Sequence, residues 1–188
     1  MLLAPTAGGK TEAAAIPILS RMLKESWPGT SVLYICPIKA LLNNLEHRLT
    51  HYAGLVGRTV GVWHGDVSQS RKKKALREAP DILLTTPESI EAMLISVRVD
   101  RPSWFGNLRA VVVDELHAFA ADDRGWHMRS VLQRLEHYLP QPLQRIGLSA
   151  TVRNPQELLG WFAPVGERQV VGSTSVSTDA DVTIDHVG

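Results

Sequence analysis

The sequence predicts an α/β fold in which a mostly parallel, twisted sheet carries helices on both faces. Short apolar runs rich in β-branched residues alternate along the chain with longer amphipathic stretches. Most of these runs are too apolar for strands with one face in water, which favours strands buried on both sides. Such strands alternating with helices are typical of a doubly wound parallel sheet. The 188 residues are enough for one domain of this kind.

The predicted elements alternate in order along the chain. Strands are predicted where apolar and β-branched residues cluster, at 31–36, 59–63, 81–85, 110–114, 145–149 and 169–171. Helices are predicted in the amphipathic stretches at 11–25, 40–53, 87–95, 125–138 and 155–162. One domain is therefore expected over residues 1–171, and the polar segment 172–188 is expected to be a linker towards a further domain. Ligands on such sheets bind at the carboxyl ends of the strands, so chemistry is expected in the loops there.

The composition excludes several classes of protein. Lys and Arg total 20 against 19 Asp and Glu, so contact with nucleic acid must come from local patches rather than a general basic field. The single Cys36 lies in an apolar run and is interpreted as a buried hydrophobic residue. The sequence lacks both an apolar run of roughly 18 residues and a signal peptide, so a cytoplasmic protein without a membrane partner is expected. His64 and His127 lack Cys or His partners at ligand spacing, so no structural zinc is expected.

The segment from Ala4 to Thr11 has the layout of a phosphate-binding loop, with Ala4 where a first glycine often stands. In such loops the backbone N–H groups face phosphates, the lysine neutralises them and the threonine hydroxyl reaches magnesium. The residues predicted to bind ATP are Thr6, Ala7, Gly8, Gly9, Lys10 and Thr11, with Thr11 also a ligand of Mg²⁺. The alternative is an ordinary helix start. Since a strand should precede the loop, we expect the natural chain to extend upstream.

Two carboxylates, Asp114 and Glu115, lie at the end of the predicted strand 110–114. A carboxylate at this place can hold Mg²⁺ while its neighbour polarises the attacking water. Asp114 is assigned the first role and Glu115 the second. The alternative is a solvated strand end, which becomes less favoured because a phosphate loop lies about a hundred residues upstream.

Three segments together resemble motifs I, II and III of superfamily 2 helicases of the DEAD/DEAH-box type. They are the phosphate loop ending in Lys10 and Thr11, the segment 114–117 (Asp-Glu-Leu-His) and the segment 149–151 (Ser-Ala-Thr). The segments 37–41 and 85–89 resemble motifs Ia and Ib, and finer features resemble Lhr-type (large helicase-related) proteins. The resemblance implies a RecA-like domain of an ATP-dependent DNA or RNA helicase. Rival interpretations are a motor that pumps duplex without separating it, and a non-catalytic binding module.

The resemblance also implies roles for residues outside the nucleotide-binding loop. Single-stranded or partly duplex nucleic acid is expected to contact Pro37, Lys39, Thr86, Pro87 and Ser89. His117 is expected to join the catalytic group, with Ser149, Ala150 and Thr151 passing the nucleotide state towards the nucleic acid. Each has a simpler alternative: His117 could be a surface group, 149–151 a turn, and Thr86 a helix cap. The basic run 71–74 is interpreted as a solvated helix face rather than a nucleic-acid contact.

The sequence also departs from the family pattern. Ala7 and Gly8 occupy the middle of the phosphate loop, where relatives commonly have Gly and Ser, and this puts nucleotide affinity in question. Neither the adenine-recognising upstream motif nor a second RecA-like domain with its arginines is present in these residues. Because such arginines contribute a factor of roughly 10³ to 10⁵ in rate, slow ATP turnover is expected from this chain alone.

Overall fold

The computed structural model describes residues 1–5, 8–120 and 122–172. The strands in this part are β1 (Leu2–Leu3), β2 (Val32–Ile35), β3 (Val60–Trp63), β4 (Ile82–Thr85), β5 (Ala110–Val113), β6 (Gln144–Ser149) and β7 (Val171–Gly172). The helices are α1 (Lys10–Glu25), α2 (Lys39–Gly54), α3 (Gln69–Glu78), α4 (Pro87–Ile95), α5 (Arg101–Phe105), α6 (Leu116–Ala120), α7 (Asp123–Glu136) and α8 (Pro155–Phe162). Predictions made for Thr6, Ala7 and 173–188 lie outside the described residues.

The seven strands form one sheet in the order β3-β4-β2-β5-β6-β1-β7, and every pairing between neighbours is parallel. The predicted parallel α/β sheet is therefore confirmed. The last strand was predicted at 169–171 but lies at Val171–Gly172, because these two residues pair with β1. The strand ahead of the phosphate loop consists of Leu2 and Leu3, which lie between β6 and β7.

Two hydrophobic clusters cover the two faces of the sheet. Alternate residues of β2 show the division, since Leu33 and Ile35 belong to one cluster while Val32 and Tyr34 belong to the other. Helices α1 and α2 pack on the second face, whereas α4 to α8 pack on the first. All residues of β2, β4 and β5 are buried, as expected for central strands of a doubly wound sheet.

The carboxyl ends of the strands lie along one edge of the sheet, and the strand order divides this edge into two halves. Strands β5, β6 and β1 are neighbours, so the loops that follow them come together in one half. Strands β3, β4 and β2 are neighbours in the other half. Among the described residues, no helix combines the length and apolar character needed to cross a membrane.

Candidate functional site

The half formed by β1, β5 and β6 contains a cleft of about 370 Å³, which is smaller than a cleft of about 980 Å³ elsewhere in the described residues. We call this smaller space the nucleotide cleft. It is lined by Gly8, Gly9, Lys10, Thr11, Glu12, Leu41, Asn44, Leu45, Arg48, Asp114 and Glu115. The described residues of the predicted phosphate loop and the carboxylate pair thus border one space.

Lys10 begins α1 and is only 8% exposed. Its ammonium donates to the carbonyl oxygens of Ala4 at 2.8 Å and Pro5 at 2.9 Å. These carbonyls satisfy a charge that would otherwise be costly to bury, and they hold it beside the start of the helix. The side chain is therefore kept at the cleft by the loop itself.

The two glycines of the loop are required by its geometry. Gly9 has a φ of 71°, in the left-handed region that favours glycine. The N–H of Gly8 donates to the Pro5 carbonyl at 3.0 Å, and a Cβ atom on Gly8 would lie 2.9 Å from that same oxygen. A side chain at either position would therefore disturb the loop.

Asp114 is held on three sides at the end of β5. Its N–H donates to the Ile35 carbonyl at 2.8 Å, its Oδ1 accepts from the N–H of Glu115 at 2.9 Å, and its Oδ2 accepts from the Tyr34 hydroxyl at 3.1 Å. Burial raises the pKa of the Asp114 carboxyl above its usual value. Burial, reinforced by Asp114, also raises the pKa of Tyr34 far above its usual value, so the phenol stays protonated as a donor.

Glu115 follows in a strained conformation and starts a chain of contacts. Its φ is 48°, a left-handed value that costs a non-glycine residue about 1 kcal/mol. Its Oε2 lies 3.4 Å from Nε2 of His117, whose Nδ1 lies 3.1 Å from the Ser149 hydroxyl. These contacts connect the carboxyl ends of β5 and β6. Ala150 is half-buried and Thr151 is exposed in the loop after β6.

The second half of the edge contains a groove of about 480 Å³ at the ends of β2, β3 and β4. We call it the strand groove. It is lined by Pro37, Lys39, Trp63, His64, Gly65, Lys72, Thr86, Glu88, Ser89, Ala92 and Arg124. The structure thus brings together four of the five residues predicted to contact nucleic acid, while Pro87 is buried at the start of α4.

The polar residues of the strand groove are bonded to one another. Lys39 begins α2 and contacts both carboxylate oxygens of Asp66, at 2.9 and 3.0 Å. The hydroxyls of Thr86 and Ser89 are buried and lie 3.1 Å apart. Thr86 is the N-cap residue of α4, but its hydroxyl makes no capping bond to the backbone. Its side chain therefore contributes to the groove rather than to the helix start.

Comparison with known proteins identifies the family. The family model described as "DEAD/DEAH box helicase" matches residues 1–158. The chain belongs to this family. The helicase domain is 41% identical over 193 residues to "Lhr helicase/ probable uracil glycosylase" of Mycolicibacterium smegmatis, a match that covers 95% of the chain and 13% of that relative. It is 35% identical over 191 residues to "Lhr helicase/uracil glycosylase" of Escherichia coli, covering 90% of the chain and 12% of that relative.

A comparison with solved structures also finds an Lhr helicase. The helicase domain superposes on Mycobacterium smegmatis helicase Lhr bound to ssDNA and AMP-PNP with a TM-score of 0.79 and 38% identity. The match covers 92% of this chain and 23% of that one. The RecA-like fold and the resemblance to Lhr-type helicases are therefore confirmed. The domain spans about an eighth of the length of the curated relatives, which carry much more sequence than is present here.

Sequence reasoning missed several residues of the helicase domain. Tyr34 lies in an apolar run where nothing marks its hydroxyl as different from its neighbours. Arg124 donates to Glu88 at 2.6 Å and to the Pro37 carbonyl at 3.0 Å, which joins α7 to the first turn of α4 and to the loop after β2. Trp63 and Lys72 also line the strand groove. A helical projection of the basic run could have separated Lys72 from its neighbours.

The basic run 71–74 lies in α3, and one of its residues departs from the predicted solvated face. In the basic run, Arg71, Lys73 and Lys74 are exposed as expected, whereas Lys72 is half-buried and faces the groove. Cys36 is fully buried, and burial raises the pKa of its thiol, in agreement with a hydrophobic role. The larger cleft of about 980 Å³ includes the residues Met1, Gln144 and Arg145 near the amino ends of the strands, away from the loops that carry the motifs.

Proposed function

We propose that this helicase domain binds ATP with Mg²⁺ in the nucleotide cleft and uses hydrolysis to move along and unwind nucleic acid. The observation that carries the proposal is the convergence of Lys10, Asp114 and Glu115 on one cleft, opposite glycines that leave the loop backbone open. Phosphoryl transfer needs little covalent help from a protein and depends on positioning and electrostatic stabilisation. A buried cation and two carboxylates at the end of a parallel strand supply both.

Each residue of the cleft has a role in this proposal. The Lys10 ammonium exchanges its two carbonyl partners for phosphate oxygens, which stay close to the positive end of α1. Thr11 and Asp114 would hold the metal, since hydroxyl and carboxylate oxygens are the donors that Mg²⁺ prefers. The metal when bound supplies positive charge to the phosphates. Glu115 orients the attacking water and accepts its proton.

The contacts of His117 support a route from the nucleotide to the nucleic acid. A change at Glu115 alters the partner of His117, which in turn alters the bond to Ser149 at the start of the loop containing Ala150 and Thr151. We propose that these three loop residues transmit the nucleotide state. A two-state rearrangement of this network, biased by both ligands, would give the required coupling.

The strand groove is the proposed contact with nucleic acid. Lys39 and the hydroxyls of Thr86 and Ser89 can donate to phosphates at the starts of α2 and α4, while Pro37 and Pro87 shape the two loops. The similarity to an Lhr helicase solved with ssDNA and AMP-PNP supports both ligands. A partly duplex strand would enter this groove by its single-stranded part.

A second RecA-like domain is the proposed partner within a longer chain. The nucleotide cleft is open at the carboxyl edge of the sheet, and the segment 172–188 is the proposed linker towards that domain. Its arginines would complete the charge around the transferring phosphoryl group. This domain alone should therefore bind nucleotide and hydrolyse it slowly.

Calorimetric titration of ATP and ADP, with and without Mg²⁺, tests the nucleotide site directly. Wild-type protein should bind both nucleotides, and Lys10→Ala should bind them at least about a hundredfold more weakly, because charge-assisted contacts to phosphate are lost. Lys24→Ala, in the last turn of the same helix, is the matched control and should bind normally. Equal binding by wild type and Lys10→Ala would overturn the assignment.

A further inference from the structure

We propose that the strand groove binds one nucleotide of a single strand, with its base stacked on Trp63 and the neighbouring phosphate on Lys72. This inference rests on the proposed function, since it specifies how the groove would hold nucleic acid. The groove would then hold a base in addition to the phosphates that Lys39, Thr86 and Ser89 are proposed to contact.

Trp63 is the last residue of edge strand β3, and its indole is half-buried at the wall of the groove. Trp104 packs against it edge to face, with ring centroids 6.2 Å apart and an interplanar angle of 64°. Because Trp104 is itself buried and belongs to the core, it fixes the orientation of the Trp63 ring. A fixed aromatic ring bordering an open groove can accept a base without losing side-chain freedom.

Lys72 shows that one face of this ring is accessible from the groove. Its ammonium lies 6.0 Å from the ring centroid, above the face, and donates to the Gly65 carbonyl at 3.3 Å. Both contacts are weak and one of them is long, so a ligand can displace the side chain at little cost. Stacking of a base on an aromatic ring is stronger than a cation–π contact at an exposed site.

The surroundings of Trp63 match a nucleotide in size and charge. The groove volume of about 480 Å³ lies within the range of roughly 300 to 1,000 Å³ that is usual for small-ligand pockets. Pro37 and Ala92 give it apolar walls, while Lys39 and Lys72 place positive charge at its rim. Proteins that bind single strands combine aromatic platforms with a basic groove in this way. A paired base has both faces covered by its neighbours, so the position selects an unpaired one.

Comparison of two single strands isolates the base contact. A deoxythymidine strand of about twelve nucleotides and a strand of equal length lacking bases are titrated against the whole chain. Wild type should bind the strand with bases at least about fivefold more tightly, and Trp63→Leu should reduce this ratio to about one while binding the base-free strand unchanged. Leucine keeps apolar volume beside Trp104, and thermal unfolding checks that the variant is folded.

Trp126→Leu serves as the matched control, since this tryptophan is 63% exposed on α7 and does not line the groove. It should keep the wild-type ratio. A wild-type ratio of one, or a ratio unchanged in folded Trp63→Leu, would overturn the base contact while leaving the proposed function intact. Failure of wild type to bind either strand would instead overturn the proposed nucleic-acid groove, and this inference with it.

The salt dependence of binding tests the phosphate contact. Lys72→Ala should weaken both strands equally and reduce the slope of log Kd against log salt by about 0.7, the value for one contact to a single strand. Lys74→Ala removes an equal charge from the same helix, where it pairs with Glu78, and should leave the slope unchanged. Equal effects of the two variants would show a diffuse attraction and overturn the assignment of Lys72.

Discussion

The two halves of the carboxyl edge hold their charged residues in different ways. In the nucleotide cleft, Lys10 is 8% exposed and its partners are backbone carbonyls, while the Asp114 carboxylate accepts hydrogen bonds from the Tyr34 hydroxyl and the N–H of Glu115. In the strand groove, Lys39 and Asp66 have side chains that are 49% and 70% exposed. The pair formed by Arg124 with Glu88 is similarly open. One half is organised before its ligand arrives, whereas the other holds charges in exchangeable pairs.

This difference agrees with the role proposed for each half. Groups that act on a developing charge are most effective when they are already oriented in a dry environment. A groove that moves along nucleic acid must release each phosphate, and exposed ion pairs worth about 0 to 1 kcal/mol exchange partners readily. Substitutions should therefore have large effects in the nucleotide cleft and small effects in the strand groove.

The largest effect is expected from Glu115→Gln, measured in a protein that joins this domain to its proposed second one. Loss of the group that accepts the proton of the attacking water should lower ATP hydrolysis by roughly 10² to 10⁴. Binding of ATP with Mg²⁺ should change less than about threefold, because glutamine keeps the size of the side chain. Glu157→Gln on α8 is the charge-matched control. Undiminished hydrolysis would exclude Glu115 from this role.

Tyr34→Phe tests whether the nucleotide cleft is organised by the residues beneath it. Removal of the hydroxyl that donates to Asp114 should weaken nucleotide binding in the presence of Mg²⁺ by about tenfold or slightly more, the lower end of what one hydrogen bond to a charged group contributes. Binding measured without Mg²⁺ should change little. Calorimetry under both conditions separates the two effects.

Tyr52→Phe is the control for this prediction. Its hydroxyl donates at 3.1 Å to Glu12, a carboxylate that Arg48 also contacts. This variant also loses one tyrosine hydroxyl, but that hydroxyl donates to a different carboxylate. The dependence of nucleotide binding on Mg²⁺ should therefore stay unchanged. If both variants lose affinity equally with and without Mg²⁺, Tyr34 supports the fold rather than the metal-binding carboxylate.

The contrast between the halves also explains what could be predicted from the sequence. Asp114 and Glu115 come at the end of a strand whose apolar composition is visible in the sequence, and Lys10 belongs to a phosphate-loop pattern. Because such loops and the ends of parallel strands meet at one edge, their convergence could be predicted. Tyr34 could not, because its hydroxyl reaches Asp114 only through the pairing of β2 with β5, a strand 75 or more residues later. Trp63 and Lys72 could not be joined to the groove, since the order of β3, β4 and β2 is not encoded in any local pattern.

A smaller effect is expected from Asp66→Asn in the strand groove. Lys39, which contacts both oxygens of the Asp66 carboxylate, holds its pKa below the usual value. Removing this charge frees Lys39 for phosphate, so binding of a single strand should improve about two- to threefold at low salt. Asp100→Asn removes an equal charge at the exposed start of α5 and should give less improvement. Weaker binding by Asp66→Asn would mean that the pair positions Lys39 instead of competing for it.

The smallest effect is expected at the ion pair of Glu12 with Arg48, which is an exception to the contrast between the halves. Both residues border the nucleotide cleft, but the Arg48 side chain is 48% exposed. The hydrogen bond from Arg48 lowers the pKa of Glu12 from its usual value of 4.5. A carboxyl whose pKa is lower in the folded than in the unfolded protein stabilises the fold at pH values above its unfolded pKa. This contribution is lost as the pH falls through the folded pKa. Near pH 7 the free energy of unfolding of wild type should therefore exceed that of Glu12→Gln by less than about 1 kcal/mol. This difference should vanish near pH 3. Urea unfolding at both pH values measures it. A difference of several kcal/mol near neutral pH would show that this pair belongs with the buried, organised groups, and that exposure alone does not separate the two halves.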